Sequence, residues 1–213
     1  MTGRDIPKCG YDNETHDKIL NISTELFATR GYEAVSLRDI AKAVGIKEPS
    51  IYHYYKSKEA LWEDVLSSFE TGYRHYFDWL KEENKNVDSP EALLDNFFNK
   101  EFIEMLNPMG CLGMSLVLKE QHTNASARKR VFDLFYDLSV KSLQSDFDRL
   151  IEKGVFPPSD TKMIATQFMF GVMATNEIRV HEYMGTKPPV NCKEIYEDLR
   201  KMLEKMLGMP VRK

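Results

Sequence analysis

Residues 36–61, SLRDIAKAVGIKEPSIYHYYKSKEAL, predict two short helices joined by a tight turn, with a third helix starting behind them. The turn is Val44-Gly45-Ile46. Gly45 stands where the first helix must stop and reverse, and glycine reaches the left-handed conformation without a Cβ clash. Ser36, with Asp39 three residues on, forms a capping-box-like start in which a hydroxyl meets orphan amide protons and a carboxylate meets the positive helix end. Leu37, Ile40, Ala41 and Val44 follow at helical spacing, so one face is buried. Pro49 fits only in a first helical turn, and Ile51 and Tyr55 supply the second helix with buried anchors. That leaves Ser50, Tyr52, His53 and Tyr54 on the remaining surface. A helix-turn-helix offers its second helix to the DNA major groove, where hydroxyl and imidazole groups meet phosphates and base edges.

From Gly31 to Leu61 the chain resembles the TetR-type bacterial transcriptional regulators. The likeness is carried by Gly31-Tyr32, Ser36, Ile40-Ala41, Gly45, Tyr52-His53-Tyr54-Tyr55 and Lys58. It implies an all-α protein with a three-helix, homeodomain-like DNA-binding head over residues 1–57 and a helical bundle for ligand binding and dimerisation over 58–213. The DNA contacts it implies are Tyr52, His53, Tyr54 and Lys58, with Ser36 and Arg38 on phosphates, Pro49 in the turn and Ser50 toward the bases. Two positions depart from the pattern: Lys47 stands where a serine cap is common, and Glu48 places a carboxylate at the head of the recognition helix. A carboxylate there suits the amino group of cytosine.

The chain has 213 residues, is 42% hydrophobic, and can bury a small core and a larger one. Its net charge of -4 does not by itself point to nucleic acid. Residues 1–60, however, hold nine Lys/Arg and nine Asp/Glu, so the rest of the chain carries the whole acidic excess. A neutral head binds DNA when its cations face one way. Cys9, Cys111 and Cys192 are odd in number and widely spaced, which indicates neither a disulfide framework nor a zinc site and fits a reducing cytoplasm. Neither an apolar leader nor a membrane-length apolar run is present in the sequence.

Residues 1–13 read as a loose arm, for which plain disorder is the commoner reading and contact of Arg4 and Lys8 with phosphates the alternative. Ile19, Ile22, Leu26 and Phe27 make a stripe on a helix over 14–30, ended by Gly31. Ser57 caps a long helix to about residue 83, with Lys58 in its first turn, where a cation opposes the dipole unless a phosphate receives it. Ser89 caps a helix expected over 90–106, which Asn107-Pro108-Met109-Gly110 breaks; the next is expected over 114–122. A long helix over 125–153 is expected to bury Phe132, Phe135, Leu138, Leu143, Phe147, Leu150 and Ile151. Helices over 160–184 and 193–207 follow.

The last two helices carry more apolar surface than a final pair on a monomer needs, and the family resemblance makes them a four-helix homodimer interface. Phe168, Gly171, Leu199 and Leu203 are its expected residues. The middle helices are rich in aromatic and methionine side chains. Phe69, Tyr73, Phe77, Phe102, Met105 and Met109 are candidate pocket residues, as are Cys111, Met114, Phe135, Phe168 and Met173, with Glu177 as a polar contact. Such a pocket would take a small, largely apolar effector. No cofactor or metal is indicated, since the histidines lack a zinc spacing and neither nucleophile-elbow nor phosphate-loop motifs occur. The residues therefore point to a DNA-binding regulator rather than an enzyme. It would be a cytoplasmic bacterial repressor released by its effector. The alternative is an enzyme or carrier using the bundle for an apolar substrate, with the head as an interaction module.

Overall fold

A computed structural model describes residues 14–98, 108–185 and 192–209. Helix α1 is Glu14–Arg30, α2 Leu37–Val44, α3 Glu48–Ile51, α4 Lys58–Asn84 and α5 Pro90–Phe97. Then come α6 Pro108–Glu120, α7 Ala125–Arg130, a π-helical segment Val131–Ser139, α8 Val140–Glu152, α9 Thr161–Tyr183 and α10 Cys192–Met206. No strand occurs among the described residues. None of their helices is long and apolar enough to cross a membrane.

The head forms as its sequence dictates. Ser36 accepts from the Asp39 amide, and the Asp39 carboxylate accepts in return from the Ser36 amide at 3.0 Å, so both ends of the capping box close. Gly45 stops α2 at φ 85°, and its amide and that of Ile46 both donate to Ala41 O at 3.0 Å. α3 has no side-chain cap at Lys47 and is one turn long. Beyond it the chain tightens, with Tyr54 and Tyr55 amides returning to Ile51 O. Ile51 and Tyr55 are the buried anchors, packed with Ile19, Phe27, Ile40 and Trp62.

α4 carries the chain out of the head, capped by Ser57 through the Ala60 amide. α6 makes a second connection. Lys119 Nζ donates to Ala28 O at the end of α1, and the Tyr32 amide donates to Glu120 Oε1 at 3.1 Å. Both residues thus satisfy the backbone where α1 ends, contacts that span about ninety residues of chain and leave no trace in local sequence.

Several boundaries differ from expectation. Pro108, Met109 and Gly110, expected in a break between helices, belong to α6, which Pro108 opens, since a first turn needs no proline amide; residues 99–107 lie outside the described residues. The stretch from 125 to 152 is not uniformly α-helical, because Val131–Ser139 winds with one extra residue per turn. The Ser139 hydroxyl donates to Leu134 O and pairs with the Tyr73 hydroxyl at 2.7 Å, so α4 is pinned to the end of that segment. The wider turn also changes which side chains point inward. Phe132, expected in the core, is 63% exposed.

Candidate nucleic-acid interface

The exposed face of the head is built from the ends of three elements. Glu48, Pro49, Tyr52 and His53 lie on the outside of α3 and the turn after it, with Lys47 and Lys56 exposed at the two ends. Beside them runs a cleft of about 530 Å³ lined by Glu33 to Arg38, Glu48, Tyr52 and Lys56 to Lys58. The capped starts of α2 and α4 open on this cleft, so two positive helix ends and Arg38, Lys56 and Lys58 face one space. That combination favours an anionic backbone, and the aromatic and imidazole groups beside it offer hydrogen bonds to bases or phosphates.

The expected DNA residues do not all share this face. Ser36, Arg38, Glu48, Pro49, Tyr52 and His53 are exposed, and Ser50 is half-buried. Tyr54, expected on the surface, turns inward: it packs on the core, its ring centroid 6.5 Å from that of His16. The tightened chain after Ile51 rotates it off the outer face. Lys58 is half-buried, its ammonium 4.0 Å from the centroid of the Tyr32 ring, so it is held by a cation–π contact rather than extended into solvent. Burial, with the neighbouring Glu59 charge, pushes the Tyr32 hydroxyl up to about 12, and the ring stays neutral beneath the lysine. Lys56, which sequence reasoning did not single out, also lines the cleft and is exposed. Its position directly before the Ser57 cap was the available signal.

In the body, Phe69, Tyr73, Phe77 and Phe135 form one chain of ring contacts, with centroids 5.2 to 6.3 Å apart. Burial raises the Tyr73 hydroxyl above its ordinary range. Cys111 and Met114 are buried on α6, and the Asn176 amide on α9 donates to Cys111 O. Met109, Met173 and Glu177 are half-buried, while Phe168 meets Phe97 and Phe98 instead. Phe102 and Met105, like Arg4, Lys8 and Cys9, lie outside the described residues.

The expected interface residues are internal to the protomer. Phe168 and Leu203 are fully buried, Leu199 is buried, and a Cβ on Gly171 would lie 2.6 Å from Leu199 Cδ2. The close approach Gly171 permits is between α9 and α10 of one chain. The outer stripe of α9 instead carries Met163, Gln167, Phe170 and Ala174, at spacings of four and three. Phe132 and Tyr136 extend it through ring contacts of 6.4 and 6.3 Å that end on Phe170.

Comparison with known proteins agrees with this geometry. Residues 19–65 match the model for bacterial regulatory proteins of the tetR family. IcaR of Staphylococcus aureus strain Newman, a biofilm operon HTH-type negative transcriptional regulator, is 26% identical over 150 residues, covering 63% of this chain and 77% of its own. The HTH-type transcriptional repressor KstR2 of Mycolicibacterium smegmatis is 42% identical over 64 residues, covering 30% of this chain and 28% of its own. A putative transcriptional regulator from Saccharomonospora viridis, solved in complex with choline, superposes with a TM-score of 0.64 at 21% identity, covering 90% of this chain and 96% of its own. A capped, glycine-turned head of this form is thus matched in sequence over residues 19–65 by bacterial regulatory proteins of the tetR family, and the chain as a whole shares its fold with the Saccharomonospora viridis structure.

Proposed function

We propose that this protein is a DNA-binding transcriptional repressor that grips operator DNA through Tyr52 and His53, with Glu48, Pro49 and Ser50 at the base edges. Ser36, Arg38, Lys56 and Lys58 hold the flanking phosphates. The observation that carries the reading is the convergence of two capped helix starts and three cations on the cleft beside the exposed face of α3. The relatives compared are named as transcriptional regulators, which favours DNA as the anion over the substrate of an enzyme or carrier. The test is a gel-shift assay with DNA flanking the gene and a scrambled competitor. Wild type should retard the flanking fragment, and Tyr52→Ala with His53→Ala should abolish the shift while leaving helicity intact. Retardation by the double variant would refute the assignment.

Residues 1–57 act as the head and 58–213 as the body, with α4 shared between them. The body pairs with a second copy of itself through Phe132, Tyr136, Met163 and Phe170, large apolar side chains left 42 to 63% exposed on one face. Two heads then meet successive major grooves of a near-palindromic site. A small, largely apolar effector, received near Phe69, Tyr73, Phe77, Met114 and Phe135, releases DNA by favouring one head spacing over another, since equal affinity for both shifts nothing. Support for this comes from the reach of α4, whose start lines the DNA cleft and whose middle holds the aromatic chain.

A further inference from the structure

One polar cluster in the head is not accounted for by the contacts described so far. Tyr55 closes the recognition segment with its ring buried, and its hydroxyl donates to Asp64 Oδ2 on α4 at 2.6 Å. The same oxygen lies 2.7 Å from His16 Nε2 on α1. A phenol has one proton, so a hydroxyl that donates to the carboxylate accepts from the imidazole, and His16 carries its proton on Nε2. The rings of His16 and Tyr55 stack with centroids 5.5 Å apart, and Tyr54 tilts against the same imidazole. One hydroxyl thus joins α1, the end of the recognition segment and the helix that leads into the body.

The surroundings of His16 are acidic on both sides. Nε2 is 3.4 Å from Asp64 Oδ2, and Nδ1 is 3.8 Å from Asp17 Oδ1 on its own helix. Among the described residues, Asp17 from α1, Tyr54 and Tyr55 from the recognition segment, and Asp64 from α4 face the ring. A second proton on the ring would turn a neutral hydrogen bond into a charge-assisted one and place a cation between two carboxylates.

We propose that the Tyr55 hydroxyl, held between His16 and Asp64, is a positioning group that fixes the recognition segment on α1 and α4 and makes operator affinity follow the protonation of His16. It rests on the DNA-binding reading above and names a regulation of that same site. Tyr55 touches no DNA; it acts by holding Tyr52 and His53 where the groove requires them. α3 is a single turn without a side-chain cap, so the segment cannot be stiffened from its own start and depends on what holds its end.

The experiment is fluorescence anisotropy with two labelled duplexes, one selected for tight binding from a randomised library and one of scrambled sequence, at fixed ionic strength from pH 8 to pH 6. Wild type, Tyr55→Phe and His16→Gln are compared, each also in a His53→Gln background, because His53 is a second imidazole and lies on the outer face. Phenylalanine keeps the buried ring and removes only the oxygen. Wild-type affinity for the selected duplex should rise as pH falls, with the rise persisting in the His53→Gln background. Tyr55→Phe should bind the selected duplex about tenfold more weakly, a loss of the size one hydrogen bond to a charged group supplies, and should leave the scrambled duplex unchanged. Both Tyr55→Phe and His16→Gln should flatten the pH profile.

Superimposable profiles for wild type and Tyr55→Phe would overturn the proposal. So would equal losses on both duplexes together with a lower melting temperature, which is the behaviour of plain packing. A pH dependence that survives His16→Gln and vanishes with His53→Gln would assign the proton to His53 and overturn it too. If wild type itself fails to prefer the selected duplex, the DNA reading falls, and this proposal with it.

Discussion

Ser36 shows how much one side chain in the head decides. Its hydroxyl and its amide both bond to Asp39, the hydroxyl first in effect, and hold that carboxyl below the usual carboxylate range. A depressed carboxyl stabilises the fold above its unfolded value, and the gain is lost as pH falls through the folded one. Separately, losing the N-cap in Ser36→Ala should cost about 1 kcal/mol of stability at neutral pH. In denaturant unfolding, the gap between wild type and Asp39→Asn should be full above about pH 4 and close in stronger acid. At Gly45, φ is 85° with nothing within 4 Å of an added Cβ, so Gly45→Ala should cost about 1 to 2 kcal/mol through backbone strain alone. Both roles were legible in the sequence, because capping and left-handed turns are local events. Tyr54 was not: its direction follows from three amides tightening on Ser50 and Ile51, a change of winding that residue spacing does not announce.

Between elements, glycines mark where helices cross closely. A Cβ on Gly113 of α6 would stand 2.6 Å from Phe69 Cδ2, with Cγ and Cβ of the same side chain 3.2 and 3.4 Å away. A Cβ on Gly171 of α9 would meet the far end of Leu199, which can turn aside. Gly113→Ala should therefore destabilise by about 1 to 3 kcal/mol in chemical denaturation, and Gly171→Ala by clearly less. The extents of α1, α4 and α9 were readable to within a few residues because each has a run of apolar residues and a marked boundary, Gly31 after α1 and the caps Ser57 and Asp160 before α4 and α9. The π-helical segment was not, since its register is held by Tyr73 from another helix and by a buried Ser139 hydroxyl turned back on Leu134. The inward and outward faces of Phe132 and Phe135 follow from that register.

At the scale of the molecule, the proposed function joins a head that reads DNA to a body that pairs and senses. A charge placed in the exposed stripe should keep protomers apart: Phe170→Asp should run as a monomer in sedimentation and lose affinity for a palindromic duplex. The same change at Phe168 should instead unfold the body, because that side chain is fully buried. A Phe170→Asp dimer with normal affinity would move the interface elsewhere. The apolar excess of α9 was legible in the sequence. Which side of α9 faces out was not, since that depends on how α10 covers Phe168 and Gly171.

The central claim is that the head binds a nucleic-acid backbone, and counterion release measures that directly. Binding of wild type to the DNA flanking its gene should be titrated from about 50 to 200 mM salt. Its affinity should fall linearly on logarithmic axes, and Lys58→Ala should flatten the slope by about one phosphate contact. Binding that ignores salt, or a slope unchanged by removing Lys58, would contradict the account.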